Sequence, residues 1–165
     1  MRIIIFGCFL YLISACTSCY SFRGTSIPPE VNTFYVPNFT LESYEVPANL
    51  ANDISEKLRL KIRNESRLKY NENEPDIEFV GKILDFKISP VAPQNNGQPA
   101  ANRLEITVTV DYIDHKNTKN NWHNNFSFFK DYGIEQNFLD VRDQLANQIF
   151  DQLSEDIFNK AFSNW

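Results

Sequence analysis

The chain has 165 residues, 16 Lys and Arg against 21 Asp and Glu, 42% hydrophobic residues and 14% aromatics. One domain of that length buries about 70% of the surface its unfolded form exposes, so it needs no metal or disulfide staple. A net charge of −5 excludes the basic face of a nucleic-acid binder, and the apolar fraction excludes a disordered tail.

Arg2 is followed by an uncharged run from Ile3 to Ile13. Crossing a bilayer takes about 20 apolar residues, so this run is too short to span and reads as a secretory signal peptide. Its exit, Ile13-Ser14-Ala15-Cys16, resembles the bacterial lipobox, in which an aliphatic and two small residues precede the cysteine that takes the lipid. The expectation is cleavage after residue 15, a covalent lipid on Cys16 and no other cofactor. All three cysteines, Cys8, Cys16 and Cys19, lie in this stretch, so no later thiol competes for Cys16, and Cys19 reads as a bystander. Several acyl chains hold a protein on a membrane durably. Thr17 and Ser18 supply no acidic retention signal, which favours the periplasmic leaflet of an outer membrane.

The mature chain, residues 16–165, reads as one domain behind a short tether. Residues 33–39 are β-prone, and Pro37 demotes them to an edge or short strand. From Ala48 to Ser66, Leu50, Ile54, Leu58 and Ile62 recur every four positions, as on an amphipathic helix. From Asp76 to Ser89 the apolar residues switch from odd to even positions, which predicts a β-bulge near Ile83-Leu84. Pro90 to Ala101, with three prolines, Gly97 and Asn95-Asn96, predicts an irregular loop. Leu104, Ile106, Val108, Val110 and Tyr112 then alternate with polar residues, as do Trp122, Asn124, Phe126 and Phe128, which predicts an antiparallel hairpin. Val141, Leu145, Ile149, Leu153, Ile157 and Ala161 step by four through a closing helix. The order β-α-β-β-β-α predicts an α+β two-layer sandwich, with both helices on one face of a four-stranded mixed sheet.

Catalytic chemistry is missing from the pattern. His115 and His123 could share a metal with Asp114 or Asp111, but hairpin histidines are far more often solvated. Glu155 and Asp156 are adjacent on a helix and point apart. There is no phosphate loop or nucleophile elbow, so neither an enzyme nor a metal site is expected. Charge is uneven: six bases and one acid lie between Lys57 and Lys69, six acids and two bases between Glu135 and Lys160. Arg59, Arg63 and Arg67 step by four and would form an exposed row of guanidiniums suited to phosphate. A solvated helix face balanced by acids elsewhere explains them equally well.

Four segments together resemble one family. They are Tyr20-Ser21-Phe22-Arg23-Gly24-Thr25-Ser26-Ile27-Pro28-Pro29, Asn102-Arg103-Leu104-Glu105-Ile106-Thr107-Val108, Phe126-Ser127-Phe128-Phe129-Lys130-Asp131-Tyr132, and Asp156-Ile157-Phe158-Asn159-Lys160-Ala161 with the closing Asn164-Trp165. In this order behind a lipid cysteine, they resemble LptE lipoproteins of Bacteroidetes bacteria. The resemblance implies an outer-membrane lipoprotein that plugs the barrel LptD and helps deliver lipopolysaccharide, with the same two-helix, four-stranded fold. For such a plug, the polar sheet face bearing Thr107, Thr109, Asn125 and Ser127 is the expected barrel contact. The competing expectation is another lipid-anchored binding or accessory module of an envelope complex; a hydrolase using His115 or His123 is a third.

Overall fold

A computed structural model describes residues 26–42, 47–91 and 101–163. Two expectations fall outside these residues: the signal peptide with Cys16 and Cys19, and most of the proline-rich loop.

The first strand, β1 (Thr33–Tyr35), stops before Pro37, and β2 (Thr40–Leu41) resumes after it. Helix α1 (Ala48–Glu65) buries Leu50, Ile54, Leu58 and Ile62, the period-four stripe. Ser66 closes it, donating its backbone N–H to the Ile62 carbonyl at 3.0 Å. Then come β3 (Lys69–Tyr70), β4 (Ile77–Val91), β5 (Ala101–Asp114), a short 3₁₀ turn at Thr118–Asn120 and β6 (Trp122–Gly133). Helix α2 (Phe138–Phe162) closes the chain, its first turn capped by the Asn137 side chain, which accepts from the Leu139 N–H.

The sheet is mixed, in the order β3-β1-β4-β5-β6, with β2 beside β1 on the same edge of β4. It has six strands where the sequence pattern shows four. The two extra strands, β2 and β3, are two residues each, too short to leave a period of two. β1 is the short strand expected, three residues long, but it lies inside the sheet, parallel to both β3 and β4, and β3 takes the edge. The β-bulge falls at Leu84: Ile83 pairs with Val108, Asp85 with Thr107, and Leu84 is the extra residue. β5 and β6 form the expected hairpin without a register shift.

Pro90, Val91 and Ala101, expected in the loop, belong to strands instead: Pro90 and Val91 close β4 and Ala101 opens β5. Pro90 pairs opposite Asn102. Beyond Ile83 the far side of β4 has no strand partner among the described residues, so a missing N–H breaks no ladder bond there.

Both helices cover the inward face. Phe79, Ile83, Ile106, Val108 and Val110 meet Ile54, Leu58, Ile149, Phe150 and Leu153 in one fully buried core. Lys57 pairs with Asp151 and Lys61 with Glu155, so the helices run parallel. The charge asymmetry of the sequence is therefore a basic helix lying along an acidic one. Burial opposes the Lys61 charge, but hydrogen bonds to Glu155 and Glu65 outweigh that and raise its pKa. Lys61 in turn holds Glu155 below its ordinary value.

One contact is sterically exacting. Phe39, 4% exposed, lays its ring over Gly81, where a Cβ would stand 2.1 Å from the ring. Only glycine lets the strand pass beneath that ring.

Candidate functional site

The three arginines do not form one exposed row. Arg59 is inside α1 with its side chain 12% exposed. Its Nε donates to the Val36 carbonyl at 2.8 Å and a terminal nitrogen to the Asn38 carboxamide at 2.7 Å, with Glu56 alongside. It clamps the β1–β2 connection to the helix. Arg67 lies past the helix end and donates to the Pro28 carbonyl at 2.6 Å and to Asn32 at 3.0 Å. Arg63 and Arg67 are both exposed, and of the three only Arg63 is, among the described residues, without an ion pair or hydrogen bond. The period of four indicated where the arginines point, but not the distant carbonyls of residues 28 and 36 that hold two of them.

Arg59 and Arg63 line an open cleft of about 550 Å³ with Tyr35, Asn38, Glu56, Tyr70 and Glu72. The Tyr35 and Tyr70 rings lie 5.9 Å apart, and the Tyr70 hydroxyl donates to Glu72 at 3.0 Å. Two acids in the wall make the cleft mixed in sign, with one free cation at its rim.

The outward face of the sheet is mainly polar, with Val80 and Phe129 as its exposed apolar residues. Strand register sets rows across β4, β5 and β6: Lys82–Thr109–Asn125, Asp85–Thr107–Ser127, Lys87–Glu105–Phe129 and Ser89–Arg103–Asp131. All four expected contact residues lie in adjacent rows of it. Thr107 donates to the Ser127 hydroxyl at 3.1 Å, which donates on to Glu105 at 2.9 Å. Thr109 is 8% exposed, screened by His123 and by the Asn124 carbonyl. Arg103 makes a forked pair with Asp131 at 2.7 and 3.0 Å and lies 3.6 Å over the Phe129 ring. That partner holds the Asp131 carboxyl below its usual range.

His123 bonds within the β5–β6 hairpin, and His115 reaches from its turn to β4. His123 bonds Asp111 at 2.6 Å and His115 faces Glu78 at 3.5 Å. Asp114 is buried and accepts from the backbone of Lys116 and Asn117 and from the Asn120 side chain, tying the β5–β6 turn. Its carboxylate is thus committed to the turn.

The two ends of the domain differ. The Ser26 N–H donates to the Phe162 carbonyl at 2.7 Å, so the described chain begins beside the last turn of α2. At the opposite end, where β4, β5 and β6 run on, Phe138 packs on Phe86 and Tyr132 while Ile88, Ile134 and Leu139 remain exposed. At 1.5 Å per residue, the 25 residues of α2 put roughly 37 Å between these ends.

The model of the lipopolysaccharide-assembly family LptE matches residues 31–161. Among solved structures, a minor lipoprotein from Acinetobacter baumannii is similar at 16% identity, over 78% of this chain and 91% of that one, with a TM-score of 0.52. A hypothetical protein from Chlamydia trachomatis is similar at 9% identity, over 79% and 98%, with a TM-score of 0.54. A homologue of a neuraminyllactose-binding hemagglutinin from Helicobacter pylori is similar at 9% identity, over 86% and 88%, with a TM-score of 0.52. At these identities the likeness is one of fold. No curated protein matches.

Proposed function

The chain belongs to the LptE lipopolysaccharide-assembly family, and on that footing we propose that it is a lipid-anchored, non-catalytic partner of the outer-membrane barrel LptD. The observation that carries the contact surface is the outward sheet face, where short hydroxyls and paired charges alternate across three strands. Such a face suits a wet, hydrogen-bonded interface. A pocket for lipid chains would be mainly apolar. In this reading Cys16 carries the lipid in the periplasmic leaflet of the outer membrane. The tether then enters at the Phe162 end of the domain, and the opposite end, with Ile88 on β4, Ile134 after β6 and Leu139 at the start of α2, is presented about 37 Å from that entry point, toward the barrel interior. Arg63, the free cation at the rim of the cleft, is the arginine left to meet a lipopolysaccharide phosphate; Arg59 and Arg67 already serve backbone carbonyls.

The test is photocrosslinking in cells. Crosslinkers at Thr107, Asn125 and Ser127 capture the barrel in this account, and crosslinkers on the outer side of α1 and α2, at Asn64 and Gln148, do not. Strong capture from the helix positions with a silent sheet face overturns the assignment. Intact-mass analysis of the mature protein tests the anchor separately, with acylated Cys16 as the expected first residue and Thr17 or Cys19 as the contradicting one.

A further inference from the structure

The cleft beside Arg63 offers more than a cation. Its wall holds two tyrosine rings, Tyr35 and Tyr70, inclined at 58° with centroids 5.9 Å apart. Tyr70 is propped by an edge contact with the buried Phe34 ring at 5.7 Å. Around the rings stand planar polar groups already fixed by bonds to one another. Arg59 holds one oxygen of Glu56 and the carboxamide oxygen of Asn38, and the Tyr70 hydroxyl holds one oxygen of Glu72. Among the described residues, the other half of each acceptor is unused: the second oxygens of Glu56 and Glu72, and the Asn38 amide nitrogen. The Arg63 guanidinium stands open beside them.

That set selects its ligand by exclusion. A polyanion meets two carboxylates there, and a polycation meets two guanidiniums. An acyl chain needs a mainly apolar lining, whereas five of the seven lining residues here carry charge or a carboxamide. A saccharide fits both halves of the cleft. Its C–H face packs on aromatic rings, and its hydroxyls donate to carboxylates and accept from amide and guanidinium N–H groups. Groups fixed before binding lose little freedom on it. The volume, about 550 Å³, falls within the roughly 300–1,000 Å³ of small-ligand sites.

We propose that this cleft binds an acidic saccharide, with the sugar ring against Tyr35 and Tyr70, its hydroxyls on Asn38, Glu56 and Glu72, and its acid group on Arg63. Arg63 keeps the role given above, on which this reading rests, and the sugar is what the rest of the cleft adds. A cell envelope supplies such rings from two sources, the phosphorylated saccharide of lipopolysaccharide and the muramic acid of peptidoglycan. None of the six residues is among the four contact residues of the outward sheet face.

Calorimetric titration of the full mature lipoprotein in detergent tests this with water-soluble probes. They are fully deacylated lipopolysaccharide, the N-acetylglucosamine–N-acetylmuramic acid disaccharide, a neutral counterpart of each (the dephosphorylated saccharide and N,N′-diacetylchitobiose), and inorganic phosphate. An acidic saccharide should bind about tenfold or more tightly than inorganic phosphate. R63Q should cost about tenfold against that saccharide and nothing against its neutral counterpart. E72Q gives an opposite sign for the two kinds of site. At a bare-anion site, loss of a nearby carboxylate strengthens binding. At a saccharide site it removes a hydroxyl acceptor, and binding should weaken by about threefold or more. Y35A should weaken the acidic and neutral forms alike, while Y35F, which keeps the ring, should retain most of the affinity. Circular dichroism verifies folding, and Glu72 is exposed, so the E72Q sign is readable whatever Y35A does to the fold. Binding of the muramic acid disaccharide alone supports the saccharide site and overturns the lipopolysaccharide role of Arg63. Binding of neither saccharide, phosphate bound as tightly as the sugars, or tighter binding by E72Q overturns the proposal. Barrel capture by the sheet-face crosslinkers is a separate measurement, so a barrel partner without a saccharide site is a distinguishable result.

Discussion

Replacing Asp76 with Asn removes a charge that staples three parts of the fold together. Its carboxylate accepts from the backbone N–H groups of Asn32 and Thr33 at 2.8 and 3.0 Å and faces Lys116 at 2.9 Å. In return the Asp76 N–H donates to the Thr33 hydroxyl. The side chain is 13% exposed. The Asn32 N–H, opposed by burial and aided by Lys116 and Thr33, brings the carboxyl from 3.8 down to about 2. A depressed carboxylate pKa stabilises the fold above the unfolded value, and this contribution fades as pH falls through the folded one. At 1.36 kcal/mol per pKa unit the contribution is about 2 kcal/mol. D76N should therefore lose roughly 2 kcal/mol at pH 7. The difference from wild type should hold down to about pH 5 and shrink toward zero near pH 2. Urea unfolding of both proteins across that range is the assay; Asp131 and Glu155, also depressed, titrate in both and cancel in the difference. A gap that is absent at pH 7, or unchanged at pH 2, refutes the reasoning.

G81A should cost about 1–3 kcal/mol by driving a methyl into the Phe39 ring, and most of that cost should vanish in an F39A background, read by a double-mutant cycle in urea. R59Q should destabilise the domain by about 1–2 kcal/mol through loss of its bonds to Val36 and Asn38, whereas R63Q should leave the melting temperature unchanged and weaken lipopolysaccharide binding in a salt-sensitive way. The variant T107D/S127D should lower recovery of the barrel at least tenfold in affinity purification while its circular dichroism matches wild type, since it loads charge beside Glu105 and Asp85 on an exposed face.

The elements that pack through a regular stripe were legible from residue pattern alone. Leu104 to Tyr112 showed a strand, Leu50 to Ile62 a helix, and the change of phase at Ile83-Leu84 its bulge, because burial imposes a period on side chains. What stayed hidden depends on partners far apart in the chain. β3 is held by β1, more than thirty residues earlier, and two residues cannot show a period. The grip of Asp76 on residues 32 and 33 spans 44 and 43 positions. Arg59 and Arg63 are four residues apart on one helix, yet only the first reaches a carbonyl, that of Val36. Alternation sets Thr107, Asn125 and Ser127 on the outward face, where the strand register puts them, but the screening of Thr109 by His123 follows from rotamers that alternation does not encode. The Asp114 turn was within reach, since an aspartate heading an Asn-rich segment marks side-chain-capped turns.

The central claim is partnership with a barrel at the outer membrane. Affinity purification of the tagged, full-length lipoprotein from detergent-solubilised membranes measures it most directly. The account predicts one outer-membrane barrel, LptD, recovered in near-stoichiometric amount and depleted in the T107D/S127D variant. Recovery of subunits of another envelope complex with no barrel would contradict it.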